Sequence, residues 1–111
     1  MAKLGTLTLT GQSGQTYDFD VYPASTKWAD NIACVYYISK RTVKSNGHGD
    51  HSAIYVGETE DLKARLANHH KQSCFDNHNY NAVSIHKISG ANVRQTAESD
   101  LIASMRLPCN D

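Results

Sequence analysis

A chain of 111 residues lies at the low end of single-domain size and holds one core. Its 40% hydrophobic and 20% charged residues place it near the globular average, which excludes disordered, collagen-like and coiled-coil chains. Eleven basic and eleven acidic side chains cancel, so bulk charge alone does not grip a polyanion, and no run of about 18 apolar residues offers a membrane span.

Residues 4–10 alternate leucine with threonine or glycine, residues 17–22 alternate again, and Gly11-Gln12-Ser13-Gly14 supplies the turn between them. This pattern predicts an N-terminal β-hairpin with one solvated face, a scaffold addition over residues 1–28. Pro23-Ala24-Ser25-Thr26 breaks the pattern before Trp28, and the chemistry is expected in residues 29–111. Residues 33–38 and 53–56 are rich in Val, Ile and Tyr and are expected as adjacent central strands, antiparallel and buried on both faces. Ser45-Asn46-Gly47-His48-Gly49-Asp50 has the composition of a flexible connection between them. Thr59 is the expected cap of a helix reaching about His69, with Glu60 and Asp61 in its first turn. A polar, histidine-containing loop leads to a third strand over residues 82–88, and Asn92 with Gln95 marks a final helix that stops at Pro108. The order implies an α+β domain: a small mixed or antiparallel sheet covered by helices.

Cys34, Cys74 and Cys109 are odd in number, widely spaced and in no CxxC pair, so three free thiols and a reducing compartment are expected. The start of the chain lacks the long apolar stretch of a signal peptide, and the expected location is the cytoplasm. Residues 62–94 carry a net charge of +4 and residues 39–53 one of +2, a weak pointer to a phosphate-binding face.

Several side chains sit oddly for structure alone. Leu62 and Leu66 mark the buried stripe of the first helix, and Arg65 and His69 lie along its edge. Arg65 is either one end of an Asp61–Arg65 helix pair or a functional cation, and His69 is either a helix-end histidine or part of a site. On the last helix Glu98 falls among Leu101, Ile102 and Met105. Burying a carboxylate there costs several kcal/mol, so Glu98 needs Arg94 one turn earlier or something bound from outside. Tyr36, Tyr37 and Tyr55 suit strand packing, yet paired strands also bring the phenols of Tyr36 and Tyr55 near Arg65, where they can hold a phosphate.

Cys34-Val35-Tyr36 followed by Tyr55-Val56-Gly57 resembles the two elements that name the GIY-YIG nuclease family. The stretch Tyr55-Val56-Gly57-Glu58-Thr59-Glu60-Asp61-Leu62-Lys63-Ala64-Arg65-Leu66-Ala67-Asn68-His69 is similar to that family's strand, turn and helix, with arginine and histidine at the family offsets. Glu98 with Leu101-Ile102, and Pro108 with Asn110, resemble its acidic helix and closing asparagine. The likeness covers about residues 33–110; Cys34 stands where the family usually has glycine, and Val56 where it has isoleucine.

The resemblance implies a three-stranded antiparallel central sheet flanked by helices, with the hairpin added, and metal-dependent endonuclease activity on phosphodiester bonds. Glu98 is implied as the ligand of a single divalent ion, Mg²⁺ or Mn²⁺, and Arg65 as the contact to the scissile phosphate. Tyr36 is implied as general base, with His69 taking the phenol proton; Tyr55 positions phosphate or water, and Asn110 orients the ligand set. Gly57, Lys40, Arg41, Lys44 and Lys63 are the expected substrate-binding residues. DNA is expected over RNA by analogy, with loops, a homodimer or a partner protein supplying specificity and no membrane involved. Two alternatives stand beside this reading. One is a non-catalytic nucleic-acid-binding module on the same fold, which the zero net charge favours. The other is a zinc or metal-sensing protein using His69, His70, Cys74 and His78, disfavoured because structural zinc ligands come in tight pairs.

Overall fold

The computed structural model describes residues 3–110. Met1, Ala2 and Asp111, at the outer bounds of the two expected segments, lie outside the described residues. In chain order the elements are β1 (Gly5–Thr10), β2 (Thr16–Pro23), β3 (Cys34–Val43), β4 (Gly49–Thr59), α1 (Leu62–Ala67), α2 (Gln72–Asn77), β5 (Ala82–Lys87) and α3 (Ala91–Ser104). The architecture is α+β, with all strands in one antiparallel sheet of order β1-β2-β5-β3-β4.

The hairpin extends the three strands β5, β3 and β4 to a sheet of five. Asp20 to Pro23 of β2 pair with Ile85 to Ala82 of β5. Alternation along β2 then sends Tyr17 and Phe19 into the core that Val35, Tyr37 and Val56 also enter. Its turn is tied to α3, since the Ser13 amide and hydroxyl donate to the Asp100 carboxylate at 2.8 and 2.7 Å.

Each face of the sheet carries its own core. Val35 and Tyr37 point to the face covered by α3, with Ala97 and Leu101, while Tyr36 and Ile38 point to the other, with Leu62 of α1 and Phe75 of α2. A β-bulge between Ile38 and Ser39 places Ile54 and Tyr55 together on that second face. A tyrosine from each of two paired strands is thereby set under α1.

The structure departs from the sequence reading at several ends. The strands continue through the expected flexible connection to the pair Val43↔Gly49, leaving a tight turn in which Lys44 N donates to His48 O and Gly47 takes φ +86°. β4 is an edge strand, not a central one. Its outer side is covered by the C-terminal tail, whose Cys109 amide donates to Ile54 O at 3.1 Å, which shields it from further pairing. Asp61, not Thr59, caps α1 by accepting from Ala64 N at 3.4 Å, because Thr59 is still the last residue of β4. α1 ends at Ala67, short of His69. The expected polar loop contains α2, six residues anchored by the buried Phe75. Asn92 lies inside α3, which follows Gly90 and ends at Ser104, ahead of Pro108.

Cys74 and Cys109 form a disulfide across 35 residues, and only Cys34, fully buried, is free. This corrects the expectation of three free thiols and removes the argument from them to a reducing compartment. Sequence spacing misses the bridge because it is the tail's return along β4 that brings Cys109 to α2. No described helix is long and apolar enough to cross a membrane.

Candidate active site

Gly57 lies opposite Tyr36 in the β3–β4 ladder. A Cβ on Gly57 would stand 2.5 Å from the Tyr36 hydroxyl and 2.8 Å from the Tyr55 ring, so only glycine lets both phenols close over this point of the strand. The two rings are 5.9 Å apart, and both residues are buried.

α1 starts three residues after β4 and carries Arg65, half-buried, beside the phenols. The Asp61–Arg65 helix pair does not form; Asp61 caps the helix instead. Among the described residues Arg65 has no salt-bridge partner.

Glu98 reaches this cluster from an unexpected direction. α3 packs on the sheet face opposite Tyr36 and Tyr55. β4, however, is the edge, and its outward backbone groups are taken up in succession. Ile54 O accepts from Cys109, Val56 N and O both bond the Asn110 amide at 2.9 Å, and the Glu58 backbone amide favours the charged Glu98 carboxylate beside it. Glu98 therefore stands at the edge next to Gly57, in electrostatic reach of Tyr36, Tyr55 and Arg65. Burial raises its pKa, the neighbouring Glu58 raises it further, and the Glu58 amide and Arg65 oppose both. Among the described residues Glu98 has no salt-bridge partner.

Arg94, the expected partner of Glu98, is engaged elsewhere. Its Nε donates to Glu58 at 3.0 Å, and its Nη1 donates to the carbonyls of Ile88 and Ser89 at 3.1 and 2.7 Å. Sequence reasoning missed the Glu58–Arg94 pair. The available signal was that Arg94 shares the helical face of Ala97 and Leu101, and such a position must bury its charge against a partner. A cleft of about 490 Å³ lined by Glu58, Thr59, Arg65, Arg94 and Gln95 opens beside the cluster.

The Tyr36 hydroxyl is 2.7 Å from His69 Nε2, and His69 Nδ1 accepts from the Lys71 amide at 3.0 Å. With Nδ1 occupied as an acceptor, the neutral ring carries its proton on Nε2 and donates it toward Tyr36. Burial, followed by His70, Arg65 and Lys71, pushes the His69 pKa down to about 4, so the neutral form prevails near pH 7. In this tautomer His69 donates to the phenol oxygen; the expected role as acceptor of the phenol proton requires the other tautomer. Burial also holds the Tyr36 pKa far above the usual phenol value; Tyr55 and Glu98 raise it further and Arg65 lowers it. Tyr55 is raised as well, mainly by burial.

Tyr36, Tyr55, Gly57, Arg65, His69 and Glu98 thus come together. Asn110 lies one step along the edge from Glu98, with its amide turned to the Val56 backbone. The remaining basic residues stand apart. At about 3.3 Å per strand residue, Lys40 and Arg41 are roughly 13 to 17 Å along β3 from Tyr36, and Lys44 lies beyond its end in the turn. Arg41 lies over Gly49, Lys44 pairs with Asp50 at 3.3 Å and Lys63 pairs with Asp30 at 3.2 Å. His69 and His70 stack at 4.9 Å and are not in the cluster that Cys74 and His78 form with Cys109, so the four residues of the zinc alternative do not make one ligand set. Comparison of the chain with family models, with curated proteins and with solved structures finds no match.

Proposed function

We propose that the chain is a divalent-metal-dependent endonuclease of the GIY-YIG type, acting on DNA at the β4 edge. One observation carries this reading: an arginine and a carboxylate, each partly buried and without a salt-bridge partner among the described residues, act on two phenols crowded over Gly57. A packing role does not account for leaving both charges without a contact ion pair, whereas a phosphate and a cation complete them.

Glu98 fits a hard divalent ion, being a carboxylate with one backbone donor and no cationic side chain on it. A metal bound there supplies charge stabilisation at the phosphate and the leaving oxygen. Arg65 holds a non-bridging phosphate oxygen and offsets charge that grows in the transition state. Tyr55 orients the phosphate or the attacking water. Tyr36 takes a proton from that water at its phenol oxygen, and for this it must first be ionised, its own proton passing to bulk solvent. His69 Nε2–H and Arg65 favour the phenolate, while burial and the Glu98 charge oppose it. Once the Glu98 charge is neutralised, one of the influences that hold the phenol proton is gone, so Tyr36 and Glu98 are coupled groups.

The test is conversion of supercoiled plasmid to nicked or linear product with Mg²⁺, with and without chelator, for the wild-type chain and for Glu98→Ala and Arg65→Ala. Chelator-sensitive cutting that both substitutions abolish, in variants with unchanged far-UV circular dichroism, is the expected result. Undiminished metal-dependent cutting in either variant overturns the assignment. Plasmid that is bound but never cut indicates the non-catalytic binding module.

A further inference from the structure

Three metal-ligating side chains meet away from the phenols. Cys74 and His78 are four residues apart, on α2 and at its C-terminal cap, which stacks them on one side of that helix. The tail along the β4 edge brings in Cys109. The two sulfurs and the imidazole nitrogen all lie within 4.8 Å of one another. The disulfide accounts for the two cysteines and leaves the histidine beside them without a role.

We propose that Cys74, His78 and Cys109 form a zinc site in the reduced protein, and that the disulfide is the oxidised, metal-free state of the same three residues. Zinc–sulfur bonds of about 2.3 Å and a zinc–nitrogen bond of about 2.0 Å in a tetrahedron set the ligand atoms roughly 3.5 to 3.8 Å apart. That spacing falls inside the observed span once the sulfur–sulfur bond opens. Water fills the fourth position, which His78 leaves accessible because it is exposed. Two thiolates and an imidazole select zinc over hard ions such as magnesium.

The exchange balances. A dithiol reductant gives two electrons and two protons to the Cys74–Cys109 bond and becomes a disulfide itself. Zinc then displaces one proton from each thiol to solvent, while neutral His78 binds without proton loss. Both states join α2 to the tail that covers β4. Only the reduced, metal-free chain loses that link.

The test uses the full chain, reduced with a non-chelating phosphine and titrated anaerobically with Co²⁺, followed by Zn²⁺ competition. One thiolate-bound Co²⁺ per chain is expected, with charge-transfer absorption that Zn²⁺ abolishes and that chain oxidised beforehand does not develop. Cys109→Ser removes the thiolate signature, and His78→Ala weakens binding by at least about tenfold. Because His78 is exposed at a helix end, its removal leaves the fold intact. Glu98→Gln binds Co²⁺ at this site as the wild type does, which separates the result from the fate of the nuclease reading. Absence of a thiolate band in reduced wild type, an equal thiolate band in the oxidised chain, or wild-type affinity for the thiolate-bound ion in His78→Ala each overturns the proposal.

Discussion

Replacement of His69 by glutamine tests the hydrogen-bond direction at the heart of the site. Glutamine places an N–H donor where Nε2 stands and does not titrate. In the folded chain the His69 pKa is lowered from 6.5 to about 4, so the fold binds fewer protons than the unfolded chain between those values. The stability this gives is complete above pH 6.5 and is lost as pH falls toward 4. A shift of that size corresponds to about 3 kcal/mol, and solvent screening near the site edge reduces it to roughly 2 kcal/mol. Urea unfolding at pH 7.5, 5.5 and 4.5 reads it directly: wild type loses about 2 kcal/mol more than His69→Gln across this range. Cleavage at pH 7.5 supplies the second readout, with His69→Gln retaining most activity and His69→Ala losing it. Parallel stability profiles refute the burial argument, and a glutamine variant as inactive as the alanine variant refutes the donor assignment.

Gly57→Ala drives a methyl group into Tyr36 and Tyr55, and displacing the phenols by about 1 Å costs on the order of 100-fold in cleavage rate; unchanged kinetics in a folded variant contradict this. Asn110→Ala leaves the Val56 amide and carbonyl without their partner, a loss of about 1–3 kcal/mol in urea unfolding, with cleavage per folded molecule unchanged. Glu98 has a raised pKa, so its ionisation destabilises the fold as pH rises through that value. Metal-free Glu98→Gln therefore melts above wild type at pH 7.5, the gap closes in acid, and Mg²⁺ raises the melting temperature of wild type alone. Melting curves at two pH values, with and without Mg²⁺, check all three statements.

Alternation and β-branched composition made the hairpin and the strands legible, because burial on a pleated surface repeats every two residues and needs no distant partner. Arg65 and Glu98 were visible for a related reason: charges on apolar helix faces violate local rules and so mark themselves, whereas Tyr36 and Gly57 stood out only through the resemblance. Element ends were misplaced where a neighbour in space decided them, as when Phe75 turned an expected loop into α2. The role of His69 depended on an amide two residues on, through a hydrogen-bond direction that spacing does not encode. The path of the tail was beyond reach altogether. Its docking covered the outer edge of β4, brought Cys109 to Cys74 and laid Asn110 beside Glu98, all through backbone groups that every sequence carries alike. Sequence by itself thus determined which side chains are out of place and the strands that carry them. Tertiary structure alone decided that Glu98 meets the phenols around an edge, since long-range pairing of backbone donors and acceptors leaves no periodic trace in the order of residues.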